Sequence, residues 1–313
     1  MGDAYTGRVR SSRSPILFQA VGRKEQKESR SSFGRPNVGP NAFQVKHRHR
    51  LNEKRKLRIP VKTYAGTVLP MLFLFAGTVI LAVIVILASY FTSGAGLHKL
   101  TAKWARFILK VLGISYSLHG AAKITPGTSY IVTPNHQSFM DFLALASALP
   151  LRFRWVLKKD LTSLPLFGWG LVRIGAVSID RSRGRNAVKI ILAAAEKLKD
   201  GWSLLIYPEG TTTRDGFLLP FKKGPFKLAV KTGVPVLPVT CNGPFKILPR
   251  GSRHIKSGHI EVTIGDPIIT KELTEKDIPE LLEKTRSEIA KYLDPDYNPF
   301  EKDSRQSHGD AAA

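Results

Sequence analysis

The chain has 313 residues, 43% of them hydrophobic and 23% charged, a composition that excludes wholesale disorder, collagen-like repeats and low-complexity architecture and leaves room for one or two domains. Lys and Arg number 48 against 24 Asp and Glu, a formal net charge of +24, so the charge seeks polyanions: nucleic acid or the anionic face of a membrane. The single cysteine, Cys241, excludes an intrachain disulfide and a four-cysteine zinc site.

The charge is unevenly spread. Residues 1–63 hold 16 Lys/Arg and 4 Asp/Glu, most densely from Lys46 to Lys62. Apolar residues there show little periodicity, so a basic disordered arm able to clamp anionic lipid is expected. A cleavable signal peptide is not expected, because no apolar core lies near Met1.

Val68 to Phe91 is then apolar nearly throughout. About 20 helical residues cross a hydrocarbon core of ~30 Å, so this stretch is long enough to span. Pro70 and Gly77 are expected to break or tilt it. After Gly94 and Gly96, the residues Leu97, Leu100, Trp104, Phe107, Ile108, Val111 and Leu112 recur at helical spacing, with Lys99, Lys103, Arg106 and Lys110 between them. Such a stripe suits a helix lying in the membrane interface; a helix packed on the domain is the alternative. Residues 64–114 are therefore expected to be membrane-anchoring helices.

From residue 115 the pattern alternates. Strand-like runs are 130–133, 154–157, 176–179, 203–207, 236–240 and 260–264; helix-like runs are 139–149, 185–198, 225–231 and 278–293. This predicts an α/β domain over 115–293, a mixed, largely parallel sheet flanked by helices. Residues 294–313 read as a polar tail. The apolar knot of Leu164, Pro165, Leu166, Phe167 and Trp169 is expected to enter a bilayer, line an acyl tunnel or pack in the core.

Two segments carry candidate chemistry, each after a strand-like run: Thr133-Pro-Asn-His-Gln-Ser-Phe-Met-Asp141 and Tyr207-Pro-Glu-Gly-Thr-Thr-Thr213. Loops at the carboxyl ends of parallel strands are where open α/β sheets place ligands. Pro134 puts His136 in the turn before a helix that Ser138 is suited to cap. Asp141 then falls in the first helical turn, from which its carboxylate reaches back to the imidazole. A carboxylate on one ring nitrogen fixes the tautomer and supports the imidazolium, so the pair makes a general base. No phosphate loop, nucleophile elbow, dinucleotide turn or histidine cluster of metal-ligand spacing accompanies it. The nucleophile is therefore expected to be a hydroxyl of the substrate, with no metal and no redox cofactor.

Asn135-His136-x-x-x-x-Asp141 followed by Pro208-Glu209-Gly210-Thr211 resembles the glycerolipid acyltransferase family. Lys158-Lys159-Asp160, Pro165-Leu-Phe-Gly168 and Ile174 to Arg181 lie between the two, and Val234-Pro-Val-Leu-Pro-Val239 follows, all in family order. The resemblance covers about residues 115–270. It implies transfer of a fatty acyl group from acyl-CoA or acyl-ACP (acyl carrier protein) to the sn-2 hydroxyl of lysophosphatidate, in phospholipid biosynthesis. It implies His136 and Asp141 as the catalytic pair, and Asn135, Ser138, Lys158, Arg181, Glu209, Gly210, Thr211, Thr212, Arg214 and Lys222 as substrate contacts. Backbone N–H groups near Gly210 or in the Asn135–Ser138 turn are expected to hold the oxyanion.

One departure bears on the acceptor. Lysophosphatidate-using members usually carry Arg directly after Glu-Gly-Thr, where this chain has Thr212, and Thr cannot pair bidentately with phosphate. Other lysolipids, with a head group or an amino-acid link, therefore stay open as acceptors. A basic, membrane-tethered binding protein is a further reading; nucleic acid is not expected, because binding needs neither the His136–Asp141 pair nor the Glu209 block. The expected site of action is the cytosolic face of the inner membrane.

Overall fold

The computed structural model describes residues 61–179, 195–198 and 201–298. The expected arm up to residue 60, Arg181, most of the helix expected at 185–198 and the tail from residue 299 lie outside them. The chain divides into two units, Met1–Arg58 and Ile59–Ala313, and every described residue belongs to the second.

Among the described residues one sheet has seven strands: β1 (Ile114–His119), β2 (Ile131–Pro134), β3 (Phe153–Lys158), β4 (Val177–Ile179), β5 (Ser203–Leu205), β6 (Val236–Asn242) and β7 (Gly258–Ile264). Their spatial order is β1-β7-β6-β2-β5-β3-β4. The β6 to β4 side is parallel throughout, β7 runs antiparallel to β6, and β1 is parallel to β7. The sheet is therefore mixed and largely parallel. Strands β2 and β5 are buried along their whole length and β6 nearly so, which is why they read as continuous rather than alternating apolar runs. β1 had no strand-like signature: Ser115 and Ser117 dilute its pattern, and its pairing with β7 supplies the order that local propensity does not.

Helices cover both faces. On one side Ala105, Ile108 and Leu109 of α2 (Gly94–Val111) and Met140, Leu143 and Leu145 of α3 (Met140–Ala148) join a core with Val132, Leu237 and Val262. On the other, α5 (Gly224–Thr232) and α6 (Ile278–Lys291) pack Phe226, Leu228, Leu281 and Ile289 against Ile131, Leu204 and Val236. Between β3 and β4 the apolar knot is in part a helix, α4 (Phe167–Arg173). A Cβ on Gly168 would collide there with the Thr162 carbonyl, so the turn needs glycine.

The apolar segment forms α1 (Val61–Ala88), one helix continuous through Pro70. The expected break does not occur. Proline removes a single backbone donor, and the rest of the helical ladder continues on either side. Gly77 instead permits close packing, since a Cβ there would sit 3.2 Å from Ile108 Cδ1 of α2. A Cβ on Gly170 of α4 would lie equally close, 3.2 Å, to Ala82 Cα of α1. Residues 68–88 are long and apolar enough to cross a membrane by length and composition. Leu69, Leu72, Phe75, Ile80 and Leu87 are exposed.

The α2 stripe divides. Leu97 and Ile108 are buried, as is Leu109 outside the stripe, and Arg106 Nε and Nη2 donate to the Ser147 carbonyl of α3 at 3.2 and 3.1 Å. Phe107 and Val111 are exposed. The helix thus packs on the domain and still shows an apolar edge, with Phe107 beside Phe73 of α1 at a ring separation of 6.3 Å.

Candidate active site

β2 and β5 are neighbours in the sheet, and the loops that follow them carry the two sequence segments. His136 stands just past the carboxyl end of β2, and Asp141 is in the first turn of α3. The imidazole Nδ1 lies 2.9 Å from Asp141 Oδ2. The same carboxylate oxygen accepts the Ser138 N–H at 2.9 Å. Asp141 is fully buried while the His136 side chain is 20% exposed, so the pair opens to the surface at the base. Burial pushes the Asp141 carboxyl above its ordinary value, and the His136 hydrogen bond opposes that rise.

The second segment wraps around the first. Glu209 is 3% exposed; its Oε1 accepts the His136 N–H at 2.7 Å and its Oε2 accepts the Leu219 N–H at 3.1 Å. Burial raises its pKa to about 8, with the two backbone donors pulling the other way. The Thr213 N–H donates to the His136 carbonyl at 3.0 Å. Tyr207 stacks on the imidazole, ring centroids 3.8 Å apart.

Three of the expected substrate contacts face inward. Asn135, 1% exposed, donates through Nδ2 to the Cys241 carbonyl at 3.0 Å and accepts the Cys241 N–H at 2.7 Å. Ser138, also 1% exposed, donates to the Leu248 carbonyl at 2.7 Å and accepts the Met140 N–H at 3.2 Å. With Glu209, these residues brace the histidine loop against β6, the Leu248 loop and the β5 loop. Their polar atoms are occupied by backbone because a buried polar group must be partnered.

Four of the expected oxyanion donors are likewise engaged. The Gly210 N–H bonds the Tyr207 carbonyl, Asn135 N–H the Val239 carbonyl, His136 N–H Glu209, and Ser138 N–H Asp141. These four amides are held by the loop fold itself.

Thr211 and Thr212 are half-buried, whereas Lys158, Arg214 and Lys222 are exposed; Lys158 sits at the end of β3, two strands from β2. Arg181 lies outside the described residues. The structure adds Arg250, which sequence spacing does not single out: Nη1 reaches the Thr212 carbonyl at 2.8 Å and Thr211 Oγ1 at 3.3 Å. Beside the site an apolar cavity is lined by Leu81 and Val85 of α1, Trp104 of α2, Phe139, Phe142, Phe167 and Leu171.

Residues 115–242 match the Acyltransferase family model. A chloroplastic 1-acyl-sn-glycerol-3-phosphate acyltransferase of Brassica napus is 40% identical over 142 residues, covering 45% of this chain and 41% of that protein. 1-Acyl-sn-glycerol-3-phosphate acyltransferase alpha of Homo sapiens is 32% identical over 175 residues, covering 56% of this chain and 62% of that protein. The crystal structure of the 1-acyl-sn-glycerophosphate (LPA) acyltransferase PlsC from Thermotoga maritima aligns with a TM-score of 0.59 at 28% identity, covering 70% of this chain and 93% of that one. The chain spans about half the length of the curated relatives it matches, 41% and 62% for these two. The sheet, the loops it presents and these matches make residues 115–242 similar, in sequence and in fold, to the acyltransferases named above.

Proposed function

We propose that the protein is a membrane-associated O-acyltransferase that moves a fatty acyl group from acyl-CoA or acyl carrier protein to the sn-2 hydroxyl of lysophosphatidate, forming phosphatidate. The observation that carries this reading is the His136–Asp141 pair, 2.9 Å apart, at the carboxyl end of a central parallel strand. The names of the relatives supply the substrate class.

The chemistry follows from the pair. With Asp141 accepting from Nδ1–H, the imidazole lone pair sits on Nε2. Nε2 takes the proton of the acceptor hydroxyl as its oxygen attacks the thioester carbonyl carbon. The tetrahedral intermediate collapses, the C–S bond breaks, and the thiolate takes the proton back from the imidazolium. A thiol with a pKa near ~8.5 departs readily. Products are an ester and a free thiol, and His136 returns to its starting state.

The apolar cavity supports an acyl-chain role, since Phe139 and Phe142 belong to the segment that carries His136 and Asp141. Exposed apolar side chains on α1, α2 and α4 and just before α4, among them Phe75, Phe107, Trp169 and Leu166, support insertion into a bilayer. Lys99, Lys103 and Lys110 on α2 are exposed and suit anionic head groups. A catalytic domain on the cytosolic face of the inner membrane fits a cytosolic acyl donor. Keeping the basic arm on that face requires that 68–91 enter one leaflet without crossing. A single cysteine at Ser12 labelled by an impermeant reagent in intact cells would place the arm outside; protection until lysis is the expected result.

Thr212 favours a second acceptor, a lysolipid with an esterified phosphate. Purified protein given one acyl-CoA and a panel of lysolipids decides: lysophosphatidate is expected to react fastest, and a head-group lysolipid reacting faster would replace it.

A further inference from the structure

A phosphate-bearing acceptor needs a cation beside the base, and Thr212 supplies none. Arg250 reaches the Thr212 carbonyl from a separate part of the chain, 38 residues beyond it. Two tethers hold its loop. Ser138, two residues after His136, donates to the Leu248 carbonyl at 2.7 Å. Arg250 itself binds the Thr212 carbonyl and Thr211 Oγ1 through Nη1. The Thr213 N–H, one residue on, is bonded to the His136 carbonyl at 3.0 Å.

The guanidinium is thus locked to the loop that encloses the base, by a neutral carbonyl and a neutral hydroxyl. Among the described residues Arg250 makes no ion pair. Both contacts use Nη1. Among the described residues the edge formed by Nε and Nη2 thus keeps the two parallel donors that match two oxygens of a phosphate. Arg250 is exposed, so a lipid head group reaches it without displacing the core.

We propose that Arg250 binds the phosphate of the acceptor, with the Thr211 hydroxyl beside it, and so provides the specificity that Thr212 does not. This rests on the acyl-transfer reading above and assigns its phosphate subsite.

Initial rates of the purified full-length protein test it, with acceptor and donor varied separately. Arg250→Ala is expected to raise the KM for lysophosphatidate about ten- to hundred-fold, the worth of a charge-assisted pair, and to leave kcat and the donor KM within about threefold. Arg250→Gln, which keeps an N–H for the Thr212 carbonyl and drops the charge, is expected to show the same acceptor defect. Arg250→Lys is expected to recover only part of it, lacking the planar fork. Acceptor KM unchanged in the Gln variant overturns the assignment. So does a common loss of kcat and of both affinities, the signature of a loop strap. If the wild type ignores lysophosphatidate and acylates a phosphodiester lysolipid, the acceptor reading fails. The Arg250→Gln shift in KM for that lysolipid then decides the phosphate role: a tenfold rise sustains it and none overturns it.

Discussion

Tyr207 lies flat against His136, with ring centroids 3.8 Å apart and planes 16° from parallel. Trp155 follows behind Tyr207 at 6.3 Å, and Phe142 stacks on Trp155 at 3.8 Å. The imidazole is therefore one end of an aromatic stack that runs through Tyr207 and Trp155 to the half-buried Phe142. The Asp141 bond fixes one ring nitrogen, and the stack fixes the ring plane. Among the described residues the buried Tyr207 hydroxyl has no hydrogen-bond partner, and burial, then the nearby Asp141, pushes its pKa well above the ordinary phenol value. Tyr207→Phe should raise stability by on the order of 1 kcal/mol, because it removes an unpaired polar group, and leave turnover within about twofold. Tyr207→Leu should lower kcat by about tenfold, the worth of an aromatic pair. Thermal melts beside steady-state kinetics check both halves; a Leu variant with wild-type kcat would remove the stack from the mechanism.

His136→Ala and Asp141→Asn should each cut acyl transfer by about 10²–10⁴-fold while membrane association persists. Asn keeps the size of Asp141 and loses the charge that supports an imidazolium. Single-turnover acyl transfer and flotation with vesicles separate the two effects. Near wild-type turnover in the Asn variant would show that Asp141 only positions the ring.

Glu209 links stability to pH. Its carboxyl titrates at about 8 in the fold against 4.5 ordinarily. Between those values the folded chain holds a proton that the unfolded chain has released. Unfolding free energy therefore falls as pH rises from about 4.5 to 8 and levels off above. Glu209→Gln cannot titrate and should flatten that slope. It should also lose roughly 1–3 kcal/mol, because an amide NH₂ faces one of the two backbone N–H groups that Glu209 now accepts. Denaturant midpoints from pH 5 to 9 give both quantities, and parallel curves for the two proteins would contradict the titration.

Asn135 should behave as a brace. Asn135→Ala removes both bonds to Cys241 and leaves a buried N–H without an acceptor, at a cost of roughly 1–3 kcal/mol. Its effect on the acceptor KM should be no larger than its effect on the donor KM. A selective acceptor defect would return Asn135 to the substrate.

Local signals were legible in the sequence, and long-range ones were not. The His136–Asp141 contact follows from five-residue spacing across a turn into a helix, and the Glu209 block was visible at the end of a strand-like run. The bracing roles of Asn135, Ser138 and Glu209 depend on partners 106, 110 and 73 residues away, which no local pattern encodes. Arg250 was hidden for the same reason. β1 was missed because an edge strand with two serines has a weak signature, and α4 because seven residues give too few turns for a period. At Pro70 the helix does not break, because proline gives up only one backbone bond and the ladder continues on either side.

The measurement closest to the central claim is acyl transfer by the purified full-length protein, with a labelled acyl-CoA and lysophosphatidate, read as labelled phosphatidate by mass spectrometry. The account predicts phosphatidate from the wild type and at least about a hundredfold less from His136→Ala of equal fold. No ester formed with any lysolipid and either thioester donor, or undiminished product from the His136 variant, would contradict it.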